Sequence, residues 1–308
     1  MPGLERHHRL AGDRPTMEDA RVTVVVASRN RRKELLRSLG HHRAPVVLVD
    51  NGSTDGTPDA VRRTHPHVEV VELGENRAAA GRTVGALRAC TPFVAFADDD
   101  SWWAPGALRA TADALEAAPR VALANVDTFV GDEELPDPFS AVLSASPLPH
   151  RDGTLPGPRI LGFMACAVML RRSAFLEAGG FDDVIRFPGE EERLAWDLTA
   201  RGWALVYLAG PAVHHHPSPR RDAAERRQRG LARSRVLTAA MRLPWDAVAE
   251  RVTAELRAGA PGRLGVLDAV ARLPQAVWRR RLLPPDVLAD IEMLNRVTPD
   301  GVREPTVP

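Results

Sequence analysis

Residues 21–27 (RVTVVVA) are β-branched almost throughout and show no polar alternation. A strand with one face in water would alternate, so this run predicts a strand covered on both sides. Residues 45–50 (PVVLVD) predict a second such strand, ending in a carboxylate; 68–73 (VEVVEL) predict a third strand and 93–97 (FVAFA) a fourth. Helical stretches fill the intervals. Residues 31–39 carry Leu35, Leu36 and Leu39 on one face, Thr54 or Asp55 caps a helix containing Ala60 and Val61, and 81–89 form a third helix. Strands alternating with short helices predict an α/β fold: a doubly wound, Rossmann-like, mostly parallel sheet flanked by helices. Ligands of such sheets bind beyond the carboxyl ends of the strands. Three of these ends carry polar residues: 28–30, 50–53 and 98–101.

Further along, 104–118 read as a helix and 121–130 as a strand, and 132–158, rich in Pro, Ser and Asp, as a long surface loop. Residues 161–170 are apolar and buried, 172–178 start a helix that ends at Gly179-Gly180, 191–200 are helical and 203–208 form a strand. From 219 onward the chain is rich in Arg, Ala and Leu and broken by prolines, which predicts a helical C-terminal region over 219–308. The 308 residues thus suit one large α/β domain, 21–218, with a nucleotide-binding half (21–101), an acceptor half (102–218) and a helical appendage. Residues 1–20 lack the apolar stretch of a signal peptide and read as a disordered leader. The longest apolar run, 161–170, is half of the roughly 20 residues a spanning helix needs, so the expectation is a soluble, cytoplasmic protein.

Two cysteines, Cys90 and Cys166, exclude a disulfide framework or a cysteine-rich zinc module. A balance of 41 basic against 40 acidic residues removes the main argument for a nucleic-acid binder. Lys33 is the sole lysine. That bias reads as genomic composition, with a few arginines left to grip phosphate bidentately.

Asp98-Asp99-Asp100 follow a buried strand directly. Three adjacent carboxylates repel one another unless a cation or hydrogen-bond donors offset them, and Mg²⁺ or Mn²⁺ bridges carboxylates to substrate phosphate. Glu190-Glu191-Glu192 form a second acidic cluster, and His214-His215-His216 follow a predicted strand. Trp102 and Trp103 follow the first cluster, and neighbours on an extended segment point opposite ways, so one of the two packs in the core.

The segments VTVVVASRNR, VVLVDNGSTDGT, GRTVGALRA, FVAFADDDSWWAPGAL, MLRRSAFLEAGGFDD and FPGEEERLAWDLTARGW occur in that order. Together they make 22–216 resemble the family-2 inverting glycosyltransferases of the GT-A fold. The resemblance implies a DXD motif at Asp98–Asp100, with Asp100 the direct ligand of Mn²⁺ or Mg²⁺, Asp98 near the ribose or the metal, and Asp99 near the ribose. It implies that Asp50 accepts the imide N–H of a uracil or thymine, an interaction that suits an acceptor-only carboxylate. Ser28 and Arg29 would touch base or ribose. Arg82 would reach base or phosphate; related sequences often carry Arg-Asn there, and Thr83 departs from that pattern. Glu191 falls on the catalytic-base position, with Glu190 in reserve. His216, then His214, would complete the metal shell, and Trp102, Trp103 and Gly162 would border donor sugar or acceptor. The arginines of 220–235 would clamp the diphosphate or form a solvated basic helix.

The implied activity is metal-dependent transfer of a sugar from a nucleotide-diphosphate sugar, UDP-linked, to a hydroxyl acceptor: a saccharide, a lipid-linked saccharide or a natural-product aglycone. Two alternatives stand beside it: a sugar-nucleotide nucleotidyltransferase, whose Gly-rich phosphate loop is replaced here by SRNRR, and a catalytically degenerate scaffold. The stretch 278–283 (WRRRLL) reads as a packing or partner helix with at most peripheral membrane contact, and the C-terminal helices could support a homo-oligomer.

Overall fold

The computed structural model describes residues 17–150, 153–218 and 224–297. The first half runs β1 (Val22–Ser28), α1 (Arg32–Leu39), β2 (Val46–Asp50), α2 (Thr57–Thr64), β3 (Glu69–Glu72), α3 (Ala80–Arg88) and β4 (Phe93–Ala97). The second half runs β5 (Ser101–Trp103), α4 (Ala107–Ala117), β6 (Val121–Val130), β7 (Leu135–Pro136), α5 (Pro138–Ser144), β8 (Val168–Arg171), α6 (Arg172–Glu177), α7 (Glu190–Thr199) and β9 (Ala204–His215). The tail is helical: α8 (Ala224–Arg242), α9 (Trp245–Arg257), α10 (Ala260–Val270), α11 (Leu273–Trp278) and α12 (Pro285–Val297).

One sheet holds the strands in the order β3-β2-β1-β4-β8-β6-β9-β5, with β7 on β6. The first four are parallel, as the alternation of strands with helices predicts, and β3, at the sheet edge, is only partly buried. Beyond β4 the sheet is mixed: β8 lies antiparallel to both β4 and β6, β6 and β9 are parallel, and β5 is antiparallel to β9. The register aligns the strand ends that matter. Ser28 stands opposite Asp50, and Val26 opposite Ala97, so Asp98 emerges level with both.

Side chains alternate across the sheet, and each face has its own core. Val25, Val49, Val94 and Phe96 meet Phe175, Phe181 and Trp196 on one face. Val24, Val26, Leu48 and Ala95 meet Leu35, Leu39, Leu108 and Leu115 on the other. The α3 helix lies unusually close to the sheet: a Cβ on Gly85 would sit 2.3 Å from Val25 Cγ1 and 3.1 Å from Val49 Cγ2. Both neighbours are β-branched and stiff, so any side chain at 85 would push α3 outward.

The tail docks through buried ion pairs as well as apolar contact. Arg159 meets Asp290 of α12 at 2.7 Å, both buried, and Arg242 of α8 forms two bonds to Asp197 of α7. Val184 and Ile185 pack under Val236, Leu237, Ala240 and Met241.

Three expectations change. Residues 132–158 are not a bare loop: they contain β7 and α5, where Asp137 caps the helix by accepting from Phe139 N at 2.8 Å and Pro138 takes its first turn. The Pro, Ser and Asp density there is helix-start chemistry. Strand β9 extends to His215, so two of the three histidines are strand residues. Within the expected leader, Glu18 and Asp19 are fixed. Glu18 O accepts from Arg109, and Asp19 accepts from the backbone N–H and the guanidinium of Arg21; residues 1–16 lie outside the described residues.

His42, between α1 and β2, is 2% exposed, and neither ring nitrogen has a hydrogen-bond partner among the described residues. Burial pushes its pKa down to about 4. The native state therefore excludes a proton that the unfolded chain accepts near 6.5, and stability is lost as pH falls from about 6.5 toward 4. The loss attributable to this group should reach roughly 3 kcal/mol. Urea unfolding of wild type and His42→Leu at neutral and acid pH checks this: the acid loss should be smaller in the variant by that amount.

Candidate active site

The carboxyl ends of β1, β2 and β4 form the floor of the site. Asp50 is 2% exposed; its Oδ2 accepts from Ser53 N at 2.8 Å, while Oδ1 is buried with no hydrogen-bond partner among the described residues. A buried carboxylate oxygen left open costs free energy that a donor on a ligand would recover. Gly52 makes the turn here with φ +73°, and a Cβ on it would lie 3.1 Å from Glu75 N. The loops after β1 and β2 are stapled together: Asn30 N donates to Ser53 Oγ at 2.9 Å, and Asn30 Oδ1 accepts from Thr54 N at 2.7 Å. Arg29 stands exposed at the rim, its Nε 3.5 Å from Gly52 O.

Beside this floor, Asp98, Asp100 and His215 each aim a ligand atom into a space where those atoms lie within 4.8 Å of one another. Two carboxylate oxygens and an imidazole nitrogen are a fitting donor set for Mn²⁺ or Mg²⁺. His215 Nε2 is 3.4 Å from Asp100 Oδ1, and Asp100 Oδ2 accepts from Ser218 N at 3.1 Å. Burial opposes ionisation of Asp100, but His215, the Ser218 N–H and Arg31 together hold its carboxyl below the ordinary value. Asp99 accepts from Ser28 Oγ at 3.0 Å. Burial pushes it up to about 7, against the pull of Arg31 and with the repulsion of Asp100 and Asp98 adding to the rise. Arg31 spans these two carboxylates, Nε 3.3 Å from Asp99 and Nη2 3.2 Å from Asp100.

Arg82, on α3, is 6% exposed and lies between the two acidic clusters. One Nη bonds Asp98, and the other is 3.2 Å from Glu190 Oε1. Burial disfavours its charge, and the carboxylates of Asp98, Glu190 and Glu191 more than offset that, so its pKa is raised. This guanidinium is an internal tie, where the resemblance implied a contact to base or phosphate. Thr83 is structural too: its Oγ1 donates to Phe181 O at 2.8 Å and accepts from Phe181 N at 2.9 Å.

Glu190 opens α7 and is 1% exposed; Glu191, next to it, is half-buried. The positive end of the helix favours both carboxylates. Gly189 precedes them at φ +96°, and a Cβ there would lie 3.1 Å from Ser234 Cβ on α8, so the tail sets where α7 begins. Asp197, about two turns further along α7, is gripped by Arg193 and Arg242.

The histidines divide by strand alternation. β5 pairs with β9 so that Trp102 lies opposite His214 and Ser101 opposite His215. The expected ligands His216 and His214 stack on Trp102, with centroids at 4.7 and 5.8 Å, and bond Asp132 and Glu134. The middle histidine, His215, is the one that faces the acidic cluster. Trp102 is half-buried and also stacks on His41 at 4.3 Å. Trp103 is a core residue, 3% exposed, donating Nε1–H to Phe96 O at 3.1 Å, which removes it from contact with sugar. Gly162 is half-buried, and a Cβ there would meet nothing within 4 Å, so there is room beside it. Of the 220–235 stretch, residues 220–223 lie outside the described residues. Arg229 pairs with Asp268, Arg233 donates to Arg186 O and Arg235 pairs with Glu255.

Arg31, His215 and Ser218 are the site residues that sequence reasoning missed. Arg31 stood within SRNRR at a strand end, and period-two alternation would have selected His215 once β5 was known to pair with β9.

The family whose description is "Glycosyl transferase family 2" matches residues 23–179, just over half of the chain. An N-acetylglucosaminyl-diphospho-decaprenol L-rhamnosyltransferase from Mycobacterium tuberculosis H37Rv is 31% identical over 202 residues, 56% of this chain and 66% of the relative. A pre-mycofactocin glycosyltransferase from the same organism is 31% identical over 212 residues, 65% of this chain, but the chain spans only 44% of that protein. Among solved structures, a Pyrobaculum calidifontis mannosyltransferase in complex with GDP-Man and Mn²⁺ aligns over 92% of this chain and 78% of its own, with TM-score 0.54 and 22% identity. GalNAc-T7 with UDP, GalNAc and Mn²⁺ aligns over 92% of this chain and 58% of its own, with TM-score 0.59 and 13% identity. These neighbours share the GT-A fold. With the family's match running through β1, β2, β4 and the Asp98–Asp100 cluster, the chain belongs to glycosyl transferase family 2.

Proposed function

We propose that this chain is an inverting glycosyltransferase that moves a sugar from a UDP-linked donor to a hydroxyl acceptor. The observation that carries the reading is the Arg82 bridge. It gathers Asp98 of the first acidic cluster and the first turn of α7, where Glu191 stands, around one buried guanidinium.

The open Oδ1 of Asp50 supports a uracil-type base, because an imide N–H is a donor and that oxygen accepts only. Ser28 and Arg29 would line base and ribose, with Asp99 held toward the ribose by Ser28. Asp98, Asp100 and His215 would hold the Mn²⁺ or Mg²⁺, which when bound neutralises charge on the donor diphosphate. Glu191 takes the acceptor's hydroxyl proton as that oxygen bonds to the anomeric carbon and the bond from that carbon to the diphosphate oxygen breaks. Glu190, paired with Arg82 in the interior, positions α7 and leaves the proton to its neighbour. Trp102 and the space beside Gly162 supply surfaces for the sugar or acceptor. A polyprenyl-diphosphate-linked saccharide is the first acceptor class to test, because the rhamnosyltransferase relative is named for one.

A panel of sugar nucleotides assayed for nucleotide release with and without Mn²⁺ tests the whole reading; no metal-dependent release from any donor overturns it. Asp100→Ala should weaken Mn²⁺-dependent donor binding by about 100-fold or more, read by calorimetry. Glu191→Gln should keep donor affinity while lowering turnover by roughly 10²–10⁴-fold, and near-normal turnover would move the base elsewhere.

A further inference from the structure

The α10 helix is built inside out. Its inward face carries Gly262, Gly265 and Ala269, all buried. A Cβ on Gly265 would lie 2.5 Å from Arg229 O and 2.6 Å from Ala232 Cβ of α8. The large aliphatics point the other way: Leu264, Leu267 and Val270 are 43%, 65% and 59% exposed. Their three-residue spacing makes one stripe along the helix. On the next helix, α11, Val277 is also exposed and Trp278 is 84% exposed. A helix that serves only its own domain places these residues inward. A contiguous exposed apolar surface of this kind marks an interaction site.

The charge around it says what it meets. Residues 256–282 carry six arginines against one acidic residue, Asp268, and that carboxylate is taken by Arg229. Arg257, Arg263 and Arg281 of this stretch are exposed, and Arg279, also exposed, faces Asp182 at 3.5 Å. Aliphatic residues and a tryptophan on one face, with an arginine fringe, fit the boundary between headgroups and acyl chains of an anionic bilayer. Among the described residues no helix is long and apolar enough to cross a membrane, so the contact is peripheral. The helix that carries it is linked to α7 through α8: α10 rests on α8, and Ser234 of α8 abuts Gly189, two residues before Glu191.

We propose that the Leu264–Leu267–Val270–Trp278 stripe is a docking surface for an anionic lipid membrane. The test is independent of transferase activity. The full chain is sedimented with phosphatidylglycerol vesicles and with phosphatidylcholine vesicles, alongside Leu267→Glu and Trp278→Ser variants. Both substitutions are at exposed positions, and unchanged thermal unfolding confirms that the variants fold. Wild type should partition onto phosphatidylglycerol and not onto phosphatidylcholine, added salt should weaken the partition, and the double variant should bind about ten-fold or more weakly. Equal binding by variant and wild type, or no binding to phosphatidylglycerol, overturns the proposal. So does a wild-type dimer in sedimentation velocity that the variants dissolve while vesicles are ignored.

Discussion

The buried guanidinium of Arg82 is the interaction on which the rest of the site depends. A charge at that depth is tolerated only because carboxylates meet it from two sides, Asp98 at the end of β4 and Glu190 at the start of α7. Removing either carboxylate would leave the cation short of a partner, and removing the cation would leave two acids facing each other in the interior. The end of β4 and the start of α7 are therefore joined electrostatically, at the place where the proposed function puts the chemistry. The same logic repeats one layer out, where Asp197 sits between Arg193 and Arg242 and ties α7 to the tail.

What was legible in the sequence follows from how local each signal is. The β1, β2 and β4 strands end in polar residues because the apolar runs stop there, and a parallel register brings such ends together; Ser28, Asp50 and Asp98 could be located on that basis. The histidine facing the acids could not. His214, His215 and His216 are chemically alike, and only the pairing of β9 with β5 decides which one faces Asp100. The tryptophans were half readable for the same reason: alternation says that one of them is inside, and the donation of Trp103 to Phe96 O says which. Arg82 was noticed as a phosphate contact rather than as a tie, because its partner Glu190 is far away in sequence.

The tail shows the opposite failure. Its arginines read as a diphosphate clamp or as a solvated basic helix; three of them, Arg229, Arg233 and Arg235, bond partners within the tail and the loop before α7. Its composition points to helices without saying which side is covered. Glycines on the packed face and leucines on the open one invert the usual expectation, and only the approach of α10 to α8 exposes the inversion.

The Asn30 staple has a mechanical consequence. By holding Ser53 and Thr54, it makes the loops after β1 and β2 one body, so Ser28 and the open oxygen of Asp50 cannot drift apart. In the proposed function, this pair is the jaw for the base, and the staple sets it with little ordering left to do on binding. The stacked rings of Trp102, His214 and His216 are held by no comparable backbone staple among the described residues, so in the proposed function adaptation to different sugars or acceptors falls to them.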